Sequence, residues 1–118
     1  MSEFVMLYRR SKEVSREAMG TPEKAQQTMK VWQAWFADLT DKGQLKSIGQ
    51  PWDESGKVVS GRNKTITDGL YEESKDIIGG YVFIEAKDLD EAARIASGCP
   101  ILDAGGCVEV RPVRAMNL

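Results

Sequence analysis

The order of elements in this sequence predicts an α+β fold of the ferredoxin-like class, with a β-hairpin inserted in its middle. Three observations carry that expectation. Compact apolar runs rich in β formers lie near the start of the chain and at 76–86, and an alternating run closes it. Two segments of helical periodicity, each opening on a capping signature, separate those runs. A turn-rich stretch between the first helix and the 76–86 run holds two short β-prone pieces. Read in order, strand, helix, strand, hairpin, strand, helix, strand is the split β-α-β pattern with an insertion. At 118 residues and without a low-complexity or Pro-rich break, the whole of 1–118 is expected to be one domain.

Glu3 to Arg9 (EFVMLYR) reads as the first strand, and the polar stretch from Arg10 to Gly20 keeps no steady period, so a loop is expected there. Thr21-Pro22-Glu23 then supplies a hydroxyl N-cap, a proline at the first helical position and an acid in the first turn. Ala25, Met29, Trp32, Phe36 and Leu39 recur at steps of three and four, with Val31 and Trp35 widening the stripe, so a helix runs to about Gly43. Aromatics at this spacing are read as core rather than as a stacking platform. Gln44 to Gly49 is expected to form a short strand. Lys57 to Ser60 and Lys64 to Thr67 flank Gly61-Arg62-Asn63 as a hairpin.

Asp76 to Ala86 (DIIGGYVFIEA) is apolar on consecutive positions, as in a strand covered on both faces, and Gly79-Gly80 within it predicts a bulge or a close backbone approach. Asp88-Leu89-Asp90-Glu91 opens a second helix in capping-box style, with Gly98 and Pro100 as its stop. Gly106 to Val113 closes as a strand with Val108 and Val110 on one face, Glu109 and Arg111 on the other.

The composition restricts the chemistry. There is no histidine, so imidazole catalysis is excluded and any activity rests on carboxylates, amines, hydroxyls or thiols. Sixteen basic against eighteen acidic residues give a net charge of −2 with no long run of either sign, which argues against a nucleic-acid partner. Cys99 and Cys107, with seven residues between them, match no zinc or redox spacing and are read as reduced thiols. Gly61 to Thr65 lacks the glycine directly before the lysine that a phosphate loop needs. An acidic residue ahead of a short apolar run makes MSEFVMLYRR unlike a signal peptide, and no run reaches membrane-spanning length. A cytoplasmic location without membrane contact is expected.

Right-handed crossovers put both helices on one face of the sheet, yet the first strand and the 76–86 strand are apolar on both sides. The second face needs a cover, and the same face of another copy related by a two-fold axis supplies one. The sequence therefore predicts a homodimer.

The segment Thr67-Asp68-Gly69-Leu70-Tyr71-Glu72-Glu73-Ser74-Lys75-Asp76-Ile77-Ile78-Gly79-Gly80-Tyr81 resembles the signature of the YCII-related, or DGPF-domain, proteins: D-G-P-F, then a glutamate, a lysine and G-G-Y or G-G-F. The likeness extends to the opening F-V-M-L-Y, W-x-x-W-F in the first helix, G-Q-P ahead of the hairpin, A-x-D-L-D-E-A before the second helix, C-P, and the closing V-E-V-R-P. The resemblance implies a dimeric α+β barrel, and it brings architecture rather than a defined activity. Some relatives in the wider group carry a proposed His-Asp pair. This chain has no histidine and carries Leu70-Tyr71 in place of Pro-Phe.

The candidate catalytic residue is Asp68. Ahead of Gly69 at a turn, it is either a backbone acceptor or, if desolvated in a cleft, a general acid or base. Glu73 and Lys75 match the family's glutamate and lysine and would share a face on an extended segment, as ligand contacts or as a solvated ion pair. Glu72 and Asp76 add oxygen ligands of the kind Mg²⁺ takes, but nothing in the spacing demands a metal, and no cofactor is expected. Arg111 would clamp a carboxylate in two hydrogen bonds, or pair with Glu109 or an acid across the dimer. Tyr8, Trp52 and Tyr81 are candidates to line a pocket. The expected function is a homodimer binding a small organic molecule, an anionic one if Arg111 is its clamp, in a cleft near the D-G-L-Y segment. The alternative is a non-catalytic regulatory or scaffolding module.

Overall fold

The computed structural model describes residues 1–70 and 76–116. Its main sheet contains β1 (Ser2–Ser11), β2 (Leu45–Ser47), β5 (Asp76–Ala86) and β6 (Cys107–Pro112), in the order β2-β5-β1-β6 and antiparallel throughout. This is the ferredoxin-like α+β arrangement, with the hairpin of β3 (Lys57–Ser60) and β4 (Thr65–Asp68) forming a separate two-stranded sheet. The predicted strands recur with ends moved by a residue or two. β1 runs past its apolar pattern because Arg9, Arg10 and Ser11 still find partners in Ile78, Ile77 and Asp76.

The sequence from Arg10 to Gly20 is not a loop throughout. It contains a seven-residue helix, α1 (Lys12–Ala18), which no apolar period announces. A helix this short is marginal alone, so its ends must be tied down. The Ser11 hydroxyl accepts the Val14 N–H at 3.1 Å, and the Thr28 hydroxyl of the next helix donates to the Ala18 carbonyl at 3.0 Å.

That next helix, α2 (Pro22–Asp41), starts as predicted: Thr21 caps it by accepting the Lys24 N–H at 3.1 Å, and Pro22 is its first residue. Its inward stripe is narrower than expected. Ala25, Thr28, Trp32, Trp35, Phe36 and Leu39 turn inward, whereas Met29 and Val31 are exposed. Both lie roughly 80° from the stripe's centre at about 100° per residue, beyond the arc that one contact with a sheet covers. The third helix, α3 (Leu89–Ala96), opens with Asp88 accepting the Glu91 N–H at 2.8 Å, while the Glu91 carboxylate reaches back to the Lys87 N–H at 3.1 Å.

The core lies between the sheet and these helices. Phe4, Met6 and Tyr8 of β1 and Val82, Ile84 and Ala86 of β5 meet Leu39, Ala92, Ile95, Ala96, Cys99 and Ile101, with Trp32, Trp35 and Phe36 packed around them. Strand alternation sends the intervening residues to the other face: Val5 and Leu7 of β1 pair with Phe83 and Tyr81 of β5, and with Arg111 and Glu109 of β6. The core draws nothing from this second face, whose apolar β1 and β5 residues are half-buried. The hairpin projects from the body with every residue exposed except Val58, leaving its cross-strand pair Val59 and Ile66 63% and 64% exposed.

Candidate functional site

The candidate residues fall on two sides of one stretch of backbone, Gly79-Gly80. β1 and β5 keep register from Ser2↔Ala86 to Tyr8↔Gly80 and then slip by one residue, so that Arg9 faces Ile78. Gly79 is the extra residue of a bulge. Beside it the chain after β2 adds a strand-like edge: Pro51 bridges to Gly80, and the Trp52 N–H donates to the Gly79 carbonyl at 2.7 Å.

On the core side, the ring of Tyr8 lies directly on Gly80 and the side chain of Arg10 lies on Gly79. A Cβ built on Gly80 would come within 2.2 Å of the Tyr8 hydroxyl and 2.7 Å of the Gln50 carbonyl oxygen. On Gly79 it would sit 2.8 Å from Arg10 Nε. Gly80 is therefore required by close approach to the Gln50 backbone, whereas at Gly79 only the flexible Arg10 side chain would have to shift; the pair meets both halves of the expectation, a bulge and a close approach. Tyr8 is buried, with the Trp32 ring centroid 5.0 Å from its own. Burial, followed by the neighbouring Cys99, pushes the Tyr8 phenol above its ordinary value, and the Arg10 charge opposes the rise. The phenol stays neutral and available as a donor at physiological pH. Burial likewise pushes the Cys99 thiol up to about 11, so it is an unreactive core group.

On the open side, Trp52 stacks on Tyr81 with centroids 5.5 Å apart, and Tyr81 meets Phe83 edge-on at the same distance. Val5 and Leu7 continue this apolar row toward β6, where Arg111 and Glu109 stand at the rim. Glu109 reaches Arg9 at 3.9 Å, and among the described residues Arg111 has no ion pair. At the opposite rim Lys46 and Glu3 pair at 3.0 Å.

The pocket expected from Tyr8, Trp52 and Tyr81 is thus divided. Trp52 and Tyr81 come together, but Tyr8, paired with Gly80 rather than Tyr81, faces the other side of the sheet because side chains alternate along a strand. Arg111 shares the face of Tyr81 but lies two strands away, roughly 10 Å at the usual strand spacing. Asp68 stands apart from all of these at the end of β4, its side chain 86% exposed and ion-paired with Lys57 across the hairpin. Glu73 and Lys75 lie outside the described residues. Sequence reasoning missed Arg10, which it placed at the start of a loop. An open groove of about 390 Å³ between α1 and α2, lined by Val14, Glu17, Lys24 and Thr28 among others, touches none of the candidates. Among the described residues no helix is long and apolar enough to cross a membrane.

The family model for the YCII-related domain matches residues 3–117, nearly the full chain. The chain belongs to the YCII-related domain family. No curated protein matches it. Within a YCII-related domain, the D-G-L-Y segment follows directly from the hairpin, and its continuation enters β5 at Asp76, opposite Ser11 and one pair from Arg10. The G-G-Y of the signature lies within β5, with Tyr8 on Gly80 and Trp52 against Tyr81.

Proposed function

We propose that this YCII-related protein is a cytoplasmic homodimer, closed through the open sheet face into a dimeric α+β barrel, that binds a small anionic organic molecule in the cleft beside the D-G-L-Y segment. One observation carries the reading: Val5, Leu7, Tyr81 and Phe83 form a continuous apolar row on a sheet face that contributes nothing to the chain's own core. Apolar rows of this kind with charged rims are the usual form of an interface. A two-fold partner buries the row against itself, and Arg111 at the rim, without an ion pair among the described residues, supports an acid of the second copy or the ligand's anionic group as its counterpart.

The functional claim is binding. Asp68, the acid-base candidate, is solvated and neutralised by Lys57, an arrangement that supports a binding module over an enzyme built on this carboxylate. Sedimentation equilibrium tests the assembly. The wild-type protein is expected at twice the 13.1 kDa chain mass at micromolar concentration, and Phe83→Asp at the chain mass with its helical circular dichroism retained. A wild-type protein that sediments as a single chain refutes the dimer.

A further inference from the structure

Among the described residues, two buried side-chain polar atoms lack a hydrogen-bond partner: Arg10 Nη1 and Glu54 Oε1. An unpaired buried donor or acceptor costs about 1–3 kcal/mol, and more when the group is charged, so folded proteins rarely keep one without a use. Arg10 lies on Gly79, whose carbonyl oxygen receives the Trp52 N–H.

The sequence and fold hold Arg10 there. β1 alternation sends Phe4, Met6, Tyr8 and Arg10 to the core side, and the bulge removes a Cβ at both positions where the Tyr8 ring and the Arg10 stem need to lie flat on the backbone. A guanidinium so placed has its aliphatic stem packed and its donors fixed in direction, which suits two parallel hydrogen bonds to a carboxylate. The Tyr8 hydroxyl on the neighbouring glycine is a second kind of donor beside it.

We propose that Arg10, with Tyr8, is the anion receptor of this domain, taking the carboxylate of a small organic acid. The inference rests on the ligand-binding half of the function proposed above and moves the charge-recognising residue from Arg111 to Arg10. It is independent of the dimer.

Isothermal titration calorimetry of the full chain tests it with acetate, benzoate and 4-hydroxybenzoate as probes and benzamide as the uncharged control. Saturable binding of at least one carboxylate is expected, with benzamide weaker than benzoate by tenfold or more. Arg10→Gln should weaken the carboxylate tenfold or more, Arg10→Lys by less, and Arg62→Gln on the exposed hairpin should leave it within twofold. Thermal melts of the same samples verify that each variant is folded. Carboxylate binding that survives Arg10→Gln but falls with Arg111→Gln overturns the inference and keeps the ligand-binding reading. Absence of saturable binding to all three acids overturns it as well.

Discussion

Gly49 and Gly43 offer a controlled comparison of what a close backbone approach contributes. Both adopt positive φ, +63° and +68°, so alanine at either site incurs the left-handed penalty of roughly 1 kcal/mol or more. They differ in surroundings: a Cβ on Gly43 meets nothing within 4 Å, whereas on Gly49 it falls 1.9 Å from the Tyr81 carbonyl oxygen and 2.8 Å from Tyr81 Cδ2. That oxygen belongs to the backbone of a sheet strand and cannot rotate away. Relief requires the 49–52 segment to lift off β5, which strains the Pro51↔Gly80 bridge and the Trp52-to-Gly79 hydrogen bond. Overpacking of this kind costs about 1–3 kcal/mol, and the lost hydrogen bond about 1 kcal/mol more. Gly43→Ala is therefore expected to lose about 1 kcal/mol and Gly49→Ala about 3–5 kcal/mol. For a chain of this length each kcal/mol is about 4 °C, so the midpoints should differ by roughly 8–16 °C. Urea unfolding followed by tryptophan fluorescence, with thermal melts in parallel, measures both. Two variants within 0.5 kcal/mol of each other would refute the argument from Tyr81.

The two thiols should behave differently. Exposed Cys107 is expected to react with a disulfide reagent at neutral pH and buried Cys99 only after denaturation; two fast thiols in the native protein would contradict the burial of Cys99. With its folded pKa at about 11 against an ordinary 9.0, Cys99 keeps its proton in the native state while the unfolded chain releases it, so stability present below pH 9 is lost progressively towards pH 11. Unfolding free energies across that window should fall less steeply in Cys99→Ala than in the wild type. At the start of α3, Asp88→Ala removes the acceptor of the Glu91 N–H and should cost about 1 kcal/mol, or about 4 °C in a thermal melt; an unchanged midpoint would mean that the cap contributes nothing to stability.

The parts of the fold legible in the sequence are those where local chemistry and tertiary context agree. The Thr21-Pro22 start of α2, the Asp88 cap of α3 and the apolar run of β5 each carry their own signal, and the structure places all three where those signals lie. α1 was hidden because a cap at Ser11 and a contact from Thr28, ten residues beyond Ala18, hold it rather than a periodic face. Of the candidate site, Trp52 beside Tyr81 follows from a turn-rich loop needing somewhere to put an indole. Arg10 escaped notice because polarity ended the strand too early, although β1 continues as long as β5 offers it partners. The exposure of Asp68 depends on how far a hairpin projects, and no local pattern encodes that distance.

The bulge at Gly79 also resets the phase of β5. From Gly80 to Ala86 the even-numbered residues point to the core, but before the bulge it is Ile77 that is buried and Ile78 that is only half-buried. The signature-bearing stretch that precedes β5 is thereby uncoupled from the inside-outside parity of the strand it enters. A lineage can insert or delete a single residue there and absorb the change in the glycine pair, without turning Val82 and Ile84 out of the core.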